Sequence, residues 1–181
     1  MNKILFLTIA LFTYISAHAD TDASTNQELL ELFNEDQQVR KSKNVDWDII
    51  ARQDAERRRS VLAMVAAGQL HTSEDYYHAA MIFQHGESAD DIRTAFSFAW
   101  MAITLDPSND SARWLSAAAW DRIMMREDMP QWYGTQFSRP SPEDPWELYK
   151  IDESAVTDEE RARMKVRSLE DSRALVEKLN Q

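Results

Sequence analysis

The chain contains no cysteine and few residues that break helices, with 3 glycines and 5 prolines among 181 residues. Without cysteine it has no disulfide framework, no thiolate nucleophile and no thiolate metal site. Basic residues are also scarce, since 31 Asp and Glu outnumber 20 Lys and Arg and leave a net charge of -11. This charge argues against a nucleic-acid partner and against docking on an anionic membrane, because both need a basic surface.

The first residues have the pattern of an export signal. Lys3 precedes a short apolar run from Ile4 to Ile15, and Ala17-His18-Ala19 has the small-x-small pattern of a cleavage site. The run is shorter than the roughly 20 residues that span a bilayer, although an N-terminal anchor is the alternative interpretation. We expect residues 1–19 to be a signal peptide cleaved after Ala19. Residues 20–181 would then be a single periplasmic or secreted domain.

Capping patterns predict five helices before Pro130, and Gly68 and Gly86 lie where helix C-caps belong. The first helix runs from the Thr25–Glu28 capping box to about Lys41, and the second covers roughly 47–67 after Asp46. The third runs from Thr72 to Gly86. The fourth runs from Ser88 to about Leu105 before Asp106-Pro107, and the fifth from Asn109 or Asp110 to about Glu127. The fourth and fifth resemble one tetratricopeptide hairpin, but a solenoid needs about three such units. Their aromatic stripe is interpreted as core or helix-pair packing: Phe96, Phe98, Trp100, Trp114 and Trp120.

The chain changes character after Pro130. Residues 130–146 hold four of the five prolines, so we expect an irregular segment over 130–156 with at most a short strand at Glu147–Ile151. Thr157 begins a short helix, and Leu169–Leu179 forms a last one. The predicted fold is mainly α, a single-domain helical bundle of about five to seven helices with one tetratricopeptide-like hairpin.

Charged residues fall on the apolar stripes of three predicted helices. Asp36 and Arg40 do so on the first helix, Asp54 and Arg57 on the second, and Arg122 on the fifth. A buried charge is costly unless it is paired and hydrogen-bonded. Three interpretations stay open: a buried salt-bridge network that fixes helix register, partly exposed ion pairs within single helices, or a ligand or catalytic pocket.

The histidines give one candidate catalyst and no metal pattern. His78 and His85 share a face of the third predicted helix, but about 10 Å separates them along its axis, too far to bind one metal. His71 could approach His78, yet the usual metal motifs are absent, and we expect neither a metal nor a cofactor. His85 is either a helix-capping residue or the best available general base. The sequence has no Gly-x-Ser-x-Gly elbow and no phosphate-binding glycine loop.

Several short elements follow the order of a known family pattern. Asp36–Arg40 matches Asp-Gln-x-x-Arg, Gln84-His85 matches Gln-His, Asp121-Arg122 matches Asp-Arg, and Gln131–Gln136 matches Gln-x-Tyr-Gly-Thr-Gln. An arginine-rich segment is matched loosely by Arg161, Arg163 and Arg167. From about Leu29 to Leu179 the chain thus resembles a bacterial family of uncharacterised proteins, the domain of unknown function 6624. It departs at Gly68-Gln69-Leu70, where the family has Gly-Trp-Pro, and at Gly86, where alanine is common. The resemblance implies no known activity, substrate or cofactor.

The inward charges and the family elements define one candidate site. Its candidate binding residues are Asp36, Gln37, Arg40, Asp54, Arg57, Gln84, Asp121, Arg122, Gln131, Tyr133, Gly134, Thr135 and Gln136, and its candidate catalytic residue is His85. The preferred hypothesis is a binding or interaction module for a small polar or anionic ligand or a peptide, because arginines suit carboxylates and phosphates. The alternatives are an enzyme with His85 as general base near Gln136 or Tyr133, and a purely structural Asp–Arg network.

Overall fold

Seven helices and one two-stranded sheet make up the part of the chain that the computed structural model describes, residues 24–41, 46–141 and 143–181. The elements are α1 (Gln27–Val39), α2 (Trp47–Ala66), α3 (Ser73–Gln84), α4 (Ala89–Leu105), α5 (Asp110–Arg126), β1 (Phe137–Ser138), β2 (Glu147–Leu148), α6 (Asp158–Arg163) and α7 (Leu169–Leu179). The mainly helical fold class is confirmed. The expected signal peptide at residues 1–19 lies outside the described residues. In the described ranges no helix combines the length and apolar character needed to cross a membrane.

Side-chain caps begin the helices close to the predicted positions. Thr72 and Ser88 form complete capping boxes at the starts of α3 and α4, and Asp46 caps α2. The first start differs from the prediction by one residue. Asn26, not Thr25, is the N-cap of α1, since its side chain accepts the Leu29 N–H at 3.0 Å.

One carboxylate joins the starts of α1 and α3. Buried Asp75 accepts the Asn26 N–H at 2.7 Å and the N–H groups of His71 and Thr72 at 2.9 Å each. Burial alone would raise the pKa of Asp75, but these hydrogen bonds and that of the Thr72 hydroxyl lower it below its ordinary value. Asp75 therefore caps its own helix and fixes the beginning of another.

The core lies where α3, α4 and α5 pack in sequence and α1 and α2 cover α3. Leu29, Val61, Ile82, Ile92 and Leu115 have no exposed surface and come from each of these five helices. Alanines also line the contact faces of α3, α4 and α5, and their small side chains allow close approach of the helices. The packed pair α4–α5 corresponds to the predicted hairpin.

Two expectations about local packing hold only in part. Gly68 and Gly86 each directly follow a helix C-cap, as predicted, but only Gly68 has a positive φ, of 66°, and Gly86 is outside the positive-φ region. Gly86 is instead required by space, because an added Cβ would lie 2.1 Å from the Cβ of Asp91. In the aromatic stripe, Trp100 and Trp114 are 45% and 44% exposed and are not core residues.

The segment after α5 is irregular, as predicted, and is tied together by short pairings. Phe137 of β1 lies opposite Leu148 of β2 in an antiparallel ladder, and Gln131 forms an isolated bridge with Ile151. The strand expected over Glu147–Ile151 is therefore a two-residue strand followed by a separate bridge. Helix α7 packs against β2 and closes this part of the molecule.

Candidate functional site

A first polar cluster surrounds the carboxylate of Asp121 on α5, and we call it the Asp121 centre. The carboxylate is fully buried and accepts the backbone N–H groups of Trp132, Tyr133 and Thr135 and the Thr135 hydroxyl at 2.8–2.9 Å. Burial raises the pKa of Asp121, against the lowering effect of these four hydrogen bonds. Every donor is neutral and belongs to the 131–136 loop, so Asp121 holds that loop on α5.

Gln131 and Arg161 secure the same loop from its other side. The buried Gln131 amide donates to the carbonyl oxygens of Gln136 and Tyr149 at 3.0 and 2.9 Å, and its Oε1 accepts the Gln136 N–H at 2.9 Å. Arg161, which is also buried, donates from Nε to the Tyr133 carbonyl at 3.1 Å. These hydrogen bonds hold the loop in place.

A second polar cluster surrounds the carboxylate of Asp36 on α1, and we call it the Asp36 centre. Asp36 is fully buried and accepts Arg40 Nη1 at 2.9 Å, Gln37 Nε2 at 2.8 Å and His85 Nδ1 at 2.9 Å. Because a carboxylate can only accept, His85 Nδ1 carries the proton. Its Nε2 has no hydrogen-bond partner within the described residues.

Ion pairs extend the Asp36 centre to α2. Arg40 Nη2 lies 2.5 Å from one oxygen of Asp54, and Arg57 Nη2 lies 2.6 Å from the other. Arg57 Nε is also 3.7 Å from the Asp36 carboxylate. Asp36, Arg40, Asp54 and Arg57 thus pair with one another, as the interpretation of a buried salt-bridge network expects, although Arg57 Nε is buried without a hydrogen-bond partner among the described residues.

Arginines from three helices meet at a cleft of about 500 Å³ beside this network. We call it the arginine cleft. Its polar and charged lining consists of Arg40, Asp54, Arg58, His85, Glu87, Arg122 and Arg126, and Trp47 stands at its edge with 65% of its surface exposed. His85 and Arg40 retain 20% and 19% side-chain exposure, so the imidazole and the guanidinium are within reach of a molecule in the cleft.

Two arginines of the cleft have no carboxylate partner among the described residues. Arg122 donates from Nη1 to the Gln84 carbonyl at 2.6 Å and makes a long contact of 3.4 Å from Nε to Gln136 Oε1. Arg126 donates to the carbonyl oxygens of Gly86 and Glu87. Burial, together with the nearby charges of Arg126 and Arg40, lowers the pKa of Arg122. The cleft therefore contains positive charge that its own carboxylates leave unbalanced.

The neighbouring Arg58 adds an unused donor to the same cleft. Its Nε lies 3.2 Å from the Asp91 carboxylate, while its Nη1 is buried without a hydrogen-bond partner. The Gln84 side chain shows a similar deficit, since its Oε1 is buried and unpartnered. Buried polar groups are normally satisfied, so these two atoms keep hydrogen-bonding capacity that the described residues leave unused.

The predicted site residues divide among four places. Arg40, Asp54, His85 and Arg122 line the arginine cleft, with Asp36, Gln37, Arg57 and Gln84 bonded to them or adjacent in the chain. Asp121 on α5 holds the 131–136 loop, to which Gln131, Gly134 and Thr135 belong. Gln136 faces an adjoining cleft of about 390 Å³ that shares Arg122 and Arg126, and Tyr133 lines a separate aromatic groove.

Sequence reasoning missed Arg58, Arg126 and Trp47. Arg58 stands in the run Arg57–Arg59, whose members are indistinguishable by residue type, and Arg126 has the ordinary position of a basic residue in the last turn of a helix. The expected closeness of His85 to Gln136 is indirect, because Arg122 lies between the two clefts that these residues line.

In the described ranges no three His, Asp or Glu side chains are grouped as metal ligands. No family model, curated protein or solved structure matches this chain. The resemblance to the bacterial family of uncharacterised proteins therefore stays a prediction, and the site is interpreted from its own geometry.

Proposed function

We propose that this protein is a binding module that holds a small anionic ligand, a carboxylate or a phosphate, in the arginine cleft. The observation that carries the proposal is the absence of a carboxylate partner for Arg122 and Arg126 within the described residues. In a chain with a net charge of -11, carboxylates are abundant, so two unpaired arginines in one cleft are well placed for an external anion.

The surrounding groups suit the same ligand. Arg58 offers an unpartnered Nη1, and Arg40 is held towards the cleft by Asp36 and Asp54. Guanidinium groups donate two parallel hydrogen bonds to a carboxylate or phosphate, and they bind more strongly in a partly buried site than in open solvent. The volume of about 500 Å³ lies within the range of small-molecule sites.

Titration calorimetry with inorganic phosphate and with citrate, at low ionic strength, tests this proposal. We expect saturable binding to the wild type and a loss of at least about tenfold in affinity in Arg126→Ala, because one charged hydrogen-bond partner contributes about 1.5–3 kcal/mol. Arg126 is exposed, so its removal leaves the fold intact. Arg59→Ala is the matched control, since Arg59 is 74% exposed and outside the cleft. Absence of saturable binding of both anions, or equal losses in the two variants, would refute the proposal.

A catalytic role is the second candidate, and the Asp36–His85 pair favours it. The carboxylate fixes the ring through Nδ1, which leaves Nε2 as a base beside the arginines, and these could stabilise a developing negative charge. Hydrolysis of a panel of phosphate and carboxylate esters is the measurement. Activity in the wild type that is lost in His85→Asn, with anion binding retained, supports an enzyme; activity unchanged in that variant excludes His85 as the base.

A further inference from the structure

A groove lined almost entirely by aromatic rings lies away from the arginine cleft. Phe96 and Trp100 of α4, Trp120 of α5, and Trp132 and Tyr133 of the loop form its walls, and the two sites share no lining residue. Its volume is about 170 Å³, several times the roughly 30 Å³ of one water molecule and below the ~300 Å³ at which drug-sized pockets begin. It therefore fits a small group.

The rings are inclined to one another and surround the space. Phe96 meets Trp100 at 72° with centroids 6.2 Å apart, and it meets Trp120 at 46° with centroids 5.6 Å apart. Trp120 and Trp132 are 4.8 Å apart at 59°. Five aromatic side chains thus line one small volume, and the face of each ring carries the negative part of an aromatic quadrupole.

The electrostatic surroundings of the groove favour a cation. No lysine, arginine or histidine lines it. After burial, the carboxylates of Asp121 and Glu160 are the next causes that raise the pKa of Tyr133, and they outweigh the opposite effect of Arg161. A positive group in the groove would thus meet aromatic side chains and no basic lining residue.

We propose that the aromatic groove binds the quaternary ammonium group of a small soluble molecule, such as one that carries a trimethylammonium end. Such a group has a diffuse positive charge and an apolar surface, so it can leave water for a cage of rings at lower cost than an ammonium group that donates hydrogen bonds. A neutral aliphatic group would fill the same space by the hydrophobic effect alone. Charge is therefore the property that the experiment must isolate.

The test compares choline with its neutral isostere, in which a tert-butyl group replaces trimethylammonium, by ligand-detected NMR on the purified protein. We expect choline to bind saturably and at least about fivefold more tightly than the isostere. Equal or tighter binding of the isostere would show an apolar groove without cation recognition and would overturn the proposal. Failure of choline to saturate would also overturn it.

Two exposed tryptophans provide a matched pair of variants. Trp100 and Trp114 are 45% and 44% exposed, but only Trp100 lines the groove. We expect Trp100→Leu to weaken choline binding at least about threefold and Trp114→Leu to leave it unchanged. Equal effects of the two substitutions would contradict the assignment of the groove. Circular dichroism of both variants confirms that the comparison is between folded proteins.

Discussion

The Asp121 and Asp36 centres are built on equally buried carboxylates, but their donors differ. Asp121 is satisfied by three backbone N–H groups and a hydroxyl, all from one loop. Asp36 is satisfied by charged or polar side chains, and two of them, Arg40 and His85, also line a cleft. Backbone donors fix a carboxylate within the fold, whereas side-chain donors that line a cleft can also contact a ligand. The difference separates a structural aspartate from one that orients a binding surface.

Removal of the Asp121 side chain should have the largest effect on stability. Asp121→Ala leaves three buried N–H groups and the Thr135 hydroxyl without an acceptor, so we expect a loss of about 3–5 kcal/mol in the free energy of unfolding. Urea denaturation followed by circular dichroism measures it. Asp110→Ala on the same helix is the control, since its exposed pair with Lys165 contributes less than about 1 kcal/mol. A similar loss of unfolding free energy in both variants would contradict the structural role of Asp121.

Asp36→Ala should cost less, about 1–3 kcal/mol, although Asp36 is as deeply buried. Its partners Arg40 and His85 keep about a fifth of their side-chain surface exposed, so water in the cleft can solvate them. The same urea experiment compares the two aspartates directly. If Asp36→Ala were the more destabilising substitution, the proposed distinction between neutral and charged donors would fail.

Gly134→Ala should disturb the Asp121 centre by about 1–2 kcal/mol. Gly134 has a φ of 82°, which strains any residue with a side chain, and an added Cβ would lie in van der Waals contact with Ile151 Cδ1 at 3.4 Å, so the loop has little room to relax the strain. Gly68→Ala is the matched control, because its φ is 66° and its Cβ would have no neighbour within 4 Å. Thermal unfolding should rank Gly134→Ala below Gly68→Ala in melting temperature. The reverse order would mean that the loop relaxes without cost.

The smallest effect concerns pH and contrasts the two histidines of α3. His85 contacts a carboxylate, but His78 stacks on Phe33 with centroids 4.3 Å apart, and its Nδ1 is buried and unpartnered. Burial lowers the pKa of His78 below 6.5, against the raising effect of Asp75. A depressed pKa in the folded state contributes stability above pH 6.5 that is lost as the pH falls through the folded-state value.

Denaturation between pH 7.5 and 5 measures this contribution. In His78→Phe, which keeps the stacked ring and removes the titration, we expect a shallower decline in stability than in the wild type. Identical slopes would assign the acid sensitivity of this range to groups other than His78.

Local signals made most of the fold predictable. The caps at Asp46, Thr72 and Ser88 depend on hydrogen bonds within four residues, so the sequence alone contains them. Gly86 is required because Asp91 in the next helix leaves no room for a Cβ. The exposure of Trp100 depends on which elements of the fold cover α4. Helical periodicity does not predict such contacts between elements.

The candidate site was predictable in most of its polar members, but not in Arg58, Arg126 and Trp47, nor in how its residues divide among the clefts. Helical periodicity places Asp36, Arg40 and Arg122 inward on their helices. It gives no information on which donor meets which carboxylate, because that depends on the relative position of α1, α2 and α5. The unpaired state of Arg122 is thus visible in the structure alone.

The carboxylate of Asp75 has a consequence for how the molecule opens. It bonds at once to the N–H groups of Asn26, His71 and Thr72, so the beginnings of α1 and α3 are joined through one side chain across 49 residues. Amides that share an acceptor lose protection together when it moves away. Hydrogen exchange of Asn26 should therefore follow that of His71 and Thr72, and α1 should detach from the bundle as a cooperative unit with the first turn of α3.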